Sequence, residues 1–200
     1  MKKMLDLCAG FGGQSEAFRQ GGWEVMRLDN NPLLSEVENM EIFDIYNEAL
    51  DDLWLSDVHV EYVHAGPTCR EFSLAYNAPR SQAIHTGTGE DYYPTEGVKL
   101  VKRCKQIIDY IQPSYWSIEN VRGSIKYLTP ILGEPRLIVG PYVYWGNFPL
   151  FDIDSSSLPS KEKLDKRHSP LRSNYRAQCP LALSQAFFDA MESQKSITDY

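Results

Sequence analysis

A mostly parallel, twisted α/β sheet with helices on both faces is the fold class this sequence predicts, and three observations predict it. Short apolar and β-branched runs alternate with helical stretches along the chain, as in successive strand–helix–strand units. The first run closes on a glycine-rich turn, Ala9-Gly10-Phe11-Gly12-Gly13, with helical composition after it. Later runs end on Asp29, Asp44, Cys69 and Glu119, and an open parallel sheet collects residues at the carboxyl ends of its strands on one edge. Two hundred residues, 42% hydrophobic and 24% charged, suit a single compact domain over 1–200.

The first strand is Lys3 to Cys8, and Gln14 to Arg19 is the helix after the turn, stopped by Gly21-Gly22. This is the arrangement in which backbone N–H groups and a helix N-terminus face a nucleotide-like ligand; a plain βα turn is the alternative. Trp23 to Leu28 reads as the second strand, closing on Asp29-Asn30. Asp29 lies 16 residues beyond Gly13, where an acid accepts hydrogen bonds from ribose hydroxyls, or else forms an Asx-turn before Pro32. A helix is expected from Leu33 to Met40, a third strand over Glu41-Ile42-Phe43 and a helix from Asn47 to Trp54. Asp44 is then either an acceptor for an adenine amine or a helix N-cap.

Val58 to Val63 reads as a buried strand, and Gly66-Pro67-Thr68-Cys69 follows it. Proline fixes its own φ and glycine permits close backbone approach, so Cys69 is presented from a restrained loop. A thiol of ordinary pKa near 8.5 needs about 2 kcal/mol from its surroundings to be fully ionised at neutral pH. A helix N-terminus or a cation such as Arg70 supplies that much; an inert buried cysteine is the alternative. Ser73 to Tyr93 shows no hydrophobic period, and a long polar, glycine-rich stretch beside a nucleophile is expected to act as a closing lid. Val98, Val101, Cys104, Ile108 and Ile111 mark a helix from Pro94 to Ile111, ended by Gln112-Pro113, whose basic residues form a solvated face. Tyr115 to Ile118 is a strand delivering Glu119-Asn120-Val121 at its end. Arg136 to Gly140 and Tyr142 to Trp145 form a hairpin about Gly140-Pro141, and Leu181 to Met191 a docking helix.

Charge and cysteines narrow the class. A net charge of −7 and a pI near 5.1 disfavour non-specific adhesion to nucleic acid. The stretch from Lys161 to Arg176 nevertheless holds six basic residues against two acidic ones, +4 locally and −11 elsewhere, either a phosphate-contacting strip or a solvated loop. Cys8, Cys69, Cys104 and Cys179 form no C-x-x-C pair, which argues against a zinc site and a redox dithiol. With no run of 18 apolar residues and no signal-peptide pattern, no membrane partner is expected and the protein is read as cytoplasmic.

From Met4 to about Gly140 the chain resembles the cytosine-5 DNA methyltransferase family. Asp6-Leu7-Cys8-Ala9-Gly10-Phe11-Gly12-Gly13 is similar to that family's first S-adenosylmethionine motif. Gly66-Pro67-Thr68-Cys69 with Phe72-Ser73 is similar to its Gly-Pro-Pro-Cys-x-x-Phe-Ser nucleophile loop, and Glu119-Asn120-Val121 to its Glu-Asn-Val motif, in the same order and spacing. The resemblance implies a Rossmann-like S-adenosylmethionine-dependent methyltransferase fold, S-adenosylmethionine as cofactor and cytosine-containing DNA as partner. It implies that Cys69 attacks carbon 6 of a flipped-out cytosine while Glu119 meets ring nitrogen 3, with Arg136 the candidate for the cytosine carbonyl. It assigns Asp29 to the cofactor ribose, Asp44 with Ile45 to the adenine, and Asn30 to the cofactor-binding set. Cys8, Gly10, Phe11, Gly13, Gly66 and Pro67 complete the cofactor-binding set, and no metal is implied.

The chain departs from the family's pattern in four places. Thr68 replaces a second proline, the Gln-x-Arg-x-Arg motif is not intact, and the late Gly-Asn motif is unrecognisable near Gln178-Cys179-Pro180. The segment 141–176 is expected as a short loop-rich insert in place of a target-recognition domain, so either little sequence discrimination or a protein partner that supplies it is expected. Three readings stay open at this point: a DNA cytosine methyltransferase, a degenerate relative that binds cofactor, DNA or protein without chemistry, and an RNA cytosine methyltransferase.

Overall fold

A computed structural model describes residues 1–47, 59–75, 77–154, 156, 158 and 169–194. The strands are β1 (Lys3–Leu7), β2 (Glu24–Asp29), β3 (Met40–Ile42), β4 (Tyr62–Ala65), β5 (Tyr115–Val121), β6 (Leu137–Val139) and β7 (Tyr142–Asn147). The helices are α1 (Glu16–Gln20), α2 (Pro79–His85), α3 (Thr95–Ile111), α4 (Ile125–Leu132), α5 (Arg172–Ala177) and α6 (Leu181–Glu192). The strands form one sheet in the order β3-β2-β1-β4-β5-β7-β6. β3, β2, β1, β4 and β5 run parallel, β7 is antiparallel to β5, and β6 pairs antiparallel with β7. This is the expected Rossmann-like sheet and fits the S-adenosylmethionine-dependent methyltransferase fold.

Both faces of the sheet are covered, which is why β1 and β4 are apolar on both sides, broken only by the buried Asp6 and His64, rather than alternating. Leu5, Leu7, Val63 and Ile118 pack with Val98, Val101, Cys104 and Ile108 of α3 and Leu128 of α4. Met4, Val25, Tyr62 and Tyr144 point to the other face, against Phe18 of α1 and Leu183, Phe187 and Met191 of α6. The 17-residue α3 is the helix the apolar spacing predicts. The β6–β7 hairpin turns at Gly140, with φ +55°.

Several elements differ from expectation. In place of a helix over Leu33–Met40, the chain makes a 3-10 turn at Pro32–Leu34, and Asn31 Oδ1 accepts the Leu33 N–H at 3.1 Å. Met40 then pairs with Arg27 in the sheet, and the buried Arg27 guanidinium takes the Glu38 carbonyl at 2.9 Å, so a continued helix would cost both sets of bonds. The expected loop Ser73–Tyr93 contains α2, started by a proline at its first turn, where the missing N–H costs nothing. The helix α4 carries Pro130 internally, which hid it from a reading that treats proline as a breaker. The segment 141–176 begins with β7 and ends within α5. Most of the helix expected from Asn47 to Trp54, and most of the basic strip from Lys161, lie outside the described residues. No helix among the described residues is long and apolar enough to cross a membrane.

Candidate active site

The strand order reverses between β1 and β4, and a crevice opens where neighbouring connections leave a parallel sheet in opposite directions. The glycine turn leaves β1 there and the Cys69 loop leaves β4. Ala9 N–H donates to the Leu28 carbonyl at 3.0 Å and Gly66 N–H to that of Leu7 at 3.0 Å, so both turns start in register with the sheet. Across the rim the order is therefore Asp44 after β3, Asp29 at the end of β2, Gly10–Gly13 after β1, Cys69 after β4 and Glu119 in β5.

The Cys69 loop is held at several points. Asn120, fully buried in β5, donates from Nδ2 to the Pro67 carbonyl at 3.1 Å, while its Oδ1 accepts the Val121 N–H at 2.9 Å. The Cys69 carbonyl accepts the N–H groups of Phe72 and Ser73, each at 3.0 Å. The Phe72 ring is buried against Tyr127, and Glu71 Oε2 accepts the Gly97 N–H in the first turn of α3 at 2.7 Å. Cys69 itself is half-buried and Arg70 exposed. Glu119 is half-buried within β5, opposite Tyr144 of β7, rather than beyond the strand end. The reversed strand β7 extends β5 by three residues past the Ile118 end expected from the sequence.

The nucleotide-type residues stand on the other side of the glycine turn. Asp29 Oδ2 accepts the Gly10 N–H and Oδ1 the Asn31 N–H, each at 3.0 Å, and Asn30 is exposed beside it. Asp44 accepts from Tyr46 N at 3.0 Å and from Asn47 Nδ2 at 2.6 Å. Ile45 is buried, and its carbonyl takes Arg103 Nε at 2.7 Å, so that one member of the basic cluster on α3 is spent on structure rather than solvent. Cys8 adopts φ +55°, and its thiol is held well above the ordinary range by the neighbouring Cys104 thiol and by burial.

The glycines of the turn answer to the protein itself. A Cβ on Gly12 would lie 2.2 Å from Arg27 Nε, and one on Gly13 would lie 2.6 Å from the Cys179 carbonyl. α5 lies across the turn, with the Tyr175 ring 4.5 Å from that of Phe11. The Gln178-Cys179-Pro180 segment, where no Gly-Asn motif is recognisable, thus sits on the glycine turn.

Arg136 is not brought to the rim. Its Nε donates to the Phe148 carbonyl at 2.7 Å and its guanidinium lies over the Phe148 ring. Phe148 follows Asn147, which pairs with Trp116 near the start of β5, so this contact lies toward the opposite edge of the sheet from Cys69.

No family model matches the chain, and no protein of curated function does. Solved structures are similar to it. One is a DNA modification methyltransferase encoded within an E. coli prophage, 15% identical, covering 73% of this chain and 46% of that one, with a TM-score of 0.47. Another is a Spodoptera frugiperda DNMT2 variant, 16% identical, covering 77% and 54%, with a TM-score of 0.39. The chain spans about half the length of these proteins.

Beneath the turn lies a buried polar cluster that sequence reasoning missed. Tyr144 hydroxyl and Cys179 thiol both donate to Gln14 Oε1, at 3.1 and 3.2 Å. Burial, then Cys179 and Glu119, push the Tyr144 hydroxyl well up, and Glu119 stands directly opposite Tyr144 in the β5–β7 pairing, on this same face. Tyr62 and His64 both meet the Ser117 hydroxyl, at 2.6 and 2.8 Å, and burial depresses His64 to about 3. Asp6 is buried, hydrogen-bonded to Ser15, and raised to about 7 by desolvation. Its Oδ2 and Gln14 Nε2 have no hydrogen-bond partner. The one available signal was the polar Asp6 inside an apolar strand run.

Proposed function

We propose that the chain transfers a methyl group from S-adenosylmethionine to carbon 5 of cytosine in DNA through a covalent adduct at Cys69. The observation that carries this reading is the Asn120–Pro67 hydrogen bond, which ties the strand bearing Glu119 to the turn bearing Cys69 beside the glycine turn. The residue types suit the cofactor: Asp29 and Asp44 bring carboxylate oxygens, acceptors for ribose hydroxyls and an adenine amine, to the strand ends beside the glycine turn. The same reading assigns to the cofactor Asn30 and Ile45 beside these acids, Cys8, Gly10, Phe11 and Gly13 of the glycine turn, and Gly66 and Pro67 of the turn after β4. When bound, S-adenosylmethionine supplies an electrophilic methyl group.

An aromatic carbon is a poor nucleophile until a covalent adduct breaks its conjugation. The Cys69 sulfur forms a bond to carbon 6, and Glu119 donates to ring nitrogen 3, where charge arrives. Carbon 5, now enamine-like, would take the methyl group as the methyl–sulfonium bond breaks and leaves a neutral thioether. Loss of the carbon 5 proton to water, breakage of the sulfur–carbon 6 bond and return of the nitrogen 3 proton to the Glu119 carboxylate would restore the aromatic ring, the thiolate and the acid. Reaching carbon 6 requires a base taken out of the stack. Arg136 has no part in these steps, because its guanidinium is engaged at Phe148.

Incubation with labelled S-adenosylmethionine and cytosine-containing DNA tests the proposal. Label is expected on carbon 5, Cys69→Ala abolishes it while retaining cofactor affinity, and DNA bearing 5-fluorocytosine traps the wild-type protein covalently. Absence of label on DNA refutes the reading, and label on RNA alone moves the substrate.

A further inference from the structure

Arg80 lies in the first turn of α2, inside the stretch expected to be a loop, and its Nη1 donates to two backbone carbonyls at once: Phe72 at 3.2 Å and Gly123 at 2.7 Å. The first belongs to the turn after Cys69 and the second to the 3-10 turn Arg122–Ser124 that follows β5. The guanidinium also lies 5.5 Å from the Tyr127 ring. Gly123 completes the arrangement, because a Cβ there would sit 2.3 Å from the Phe72 carbonyl oxygen and 2.7 Å from Arg80 Nη1. The link continues to the nucleophile: the Phe72 N–H is bonded to the Cys69 carbonyl at 3.0 Å. The buried Phe72 ring fixes this turn in depth, and Arg80 fixes the orientation of its peptide plane.

We propose that Arg80 is a positioning residue, a clamp that locks the Cys69 turn in register with the end of the strand carrying Glu119. The inference rests on the reading of Cys69 as a nucleophile. It assigns α2 a fixed structural duty beside the site, in a segment whose sequence alone pointed to a lid. A charge-assisted hydrogen bond to a neutral carbonyl is among the stronger single contacts a side chain makes, and two carbonyls of separate segments share this one. Misplacement of a nucleophile by a fraction of an ångström to an ångström is enough to slow a covalent step severely.

The test compares wild type, Arg80→Ala, Arg80→Lys and Gly123→Ala in the full chain. One readout is covalent trapping by 5-fluorocytosine DNA with S-adenosylmethionine present; the other is iodoacetamide alkylation at Cys69, followed by peptide mass spectrometry. Arg80→Ala is expected to slow trapping about tenfold or more and to alter the Cys69 alkylation rate, with S-adenosylmethionine affinity unchanged. Arg80→Lys, which restores a cation with several donors, is expected to recover much of the trapping rate. Wild-type trapping and alkylation in Arg80→Ala overturn the proposal. Where Arg80→Ala does not fold, Gly123→Ala decides: it keeps the guanidinium but pushes the Phe72 carbonyl away, and wild-type rates there overturn the clamp. If no wild-type adduct forms on any DNA, the cytosine reading fails by itself; the clamp then stands or falls on whether Cys69 alkylation differs between wild type and Arg80→Ala.

Discussion

Replacement of Asp6 by asparagine separates a buried acid from its titration. Asp6 is 1% exposed, and desolvation raises its carboxyl from an ordinary 3.8 to about 7 against the opposing pulls of Ser15 and Arg27, with Asp29 adding to the rise. The native state therefore holds a proton that the unfolded chain releases, and stability falls as pH climbs through that window. At about 1.4 kcal/mol per pH unit the gap amounts to about 4 kcal/mol, most of it lost between about pH 4 and about pH 7. Asp6→Asn has the same shape and no proton to lose. His64 opposes Asp6 over the same range, but it is present in both proteins and cancels in the difference. Urea midpoints at fixed ionic strength should show the variant gaining on wild type as pH rises, by up to about 4 kcal/mol, and levelling off above about pH 7. A stability difference that stays constant across the range refutes the assignment of a protonated, buried carboxyl.

Two further outcomes are expected. His64 is held neutral down to about 3 by burial, so its contribution is full above its ordinary 6.5 and is lost as pH falls; His64→Gln should flatten the decline of the thermal midpoint between about pH 6.5 and about pH 4. Asn120→Ala removes a buried donor from the Pro67 carbonyl and should cost about 1–3 kcal/mol in urea unfolding, with a larger loss in covalent trapping than in cofactor affinity.

What could be read before the structure was whatever depends on local chemistry. The order of the strands along the chain, the glycine turn and the apolar period of α3 were legible because each is written within a few consecutive residues; the end of β5 was not, because pairing with β7 sets it. α2 and α4 were not, since α2 buries only Ser81 among its seven residues, and α4, although Ile125, Leu128 and Leu132 recur at helical spacing and pack on the core, contains Pro130, which reads as a breaker. The failed helix over Leu33–Met40 has a non-local cause: Arg27, eleven residues earlier, claims the Glu38 carbonyl. The placement of Arg136 was equally non-local, decided by β7 running back to deliver Phe148 beside it. Buried Asp6, Gln14 and Tyr144 and half-buried Cys179 come from four separate segments, and only the folded sheet assembles them.

The strand order explains why donor and acceptor sites can share one rim without competing. With β1 between β2 and β4, Asp29 and Asp44 fall on one side of the glycine turn and Cys69 and Glu119 on the other. In the proposed reaction the nucleoside end of the cofactor would occupy the first side and the extruded cytosine the second, with the glycine turn between them. Gly12 and Gly13 have Arg27 and Cys179 pressed against them from behind. The turn is thus confined from the protein side to a fixed height. That confinement, more than freedom to approach a ligand, is what requires glycine at these two positions, and it holds the turn level with both halves of the site.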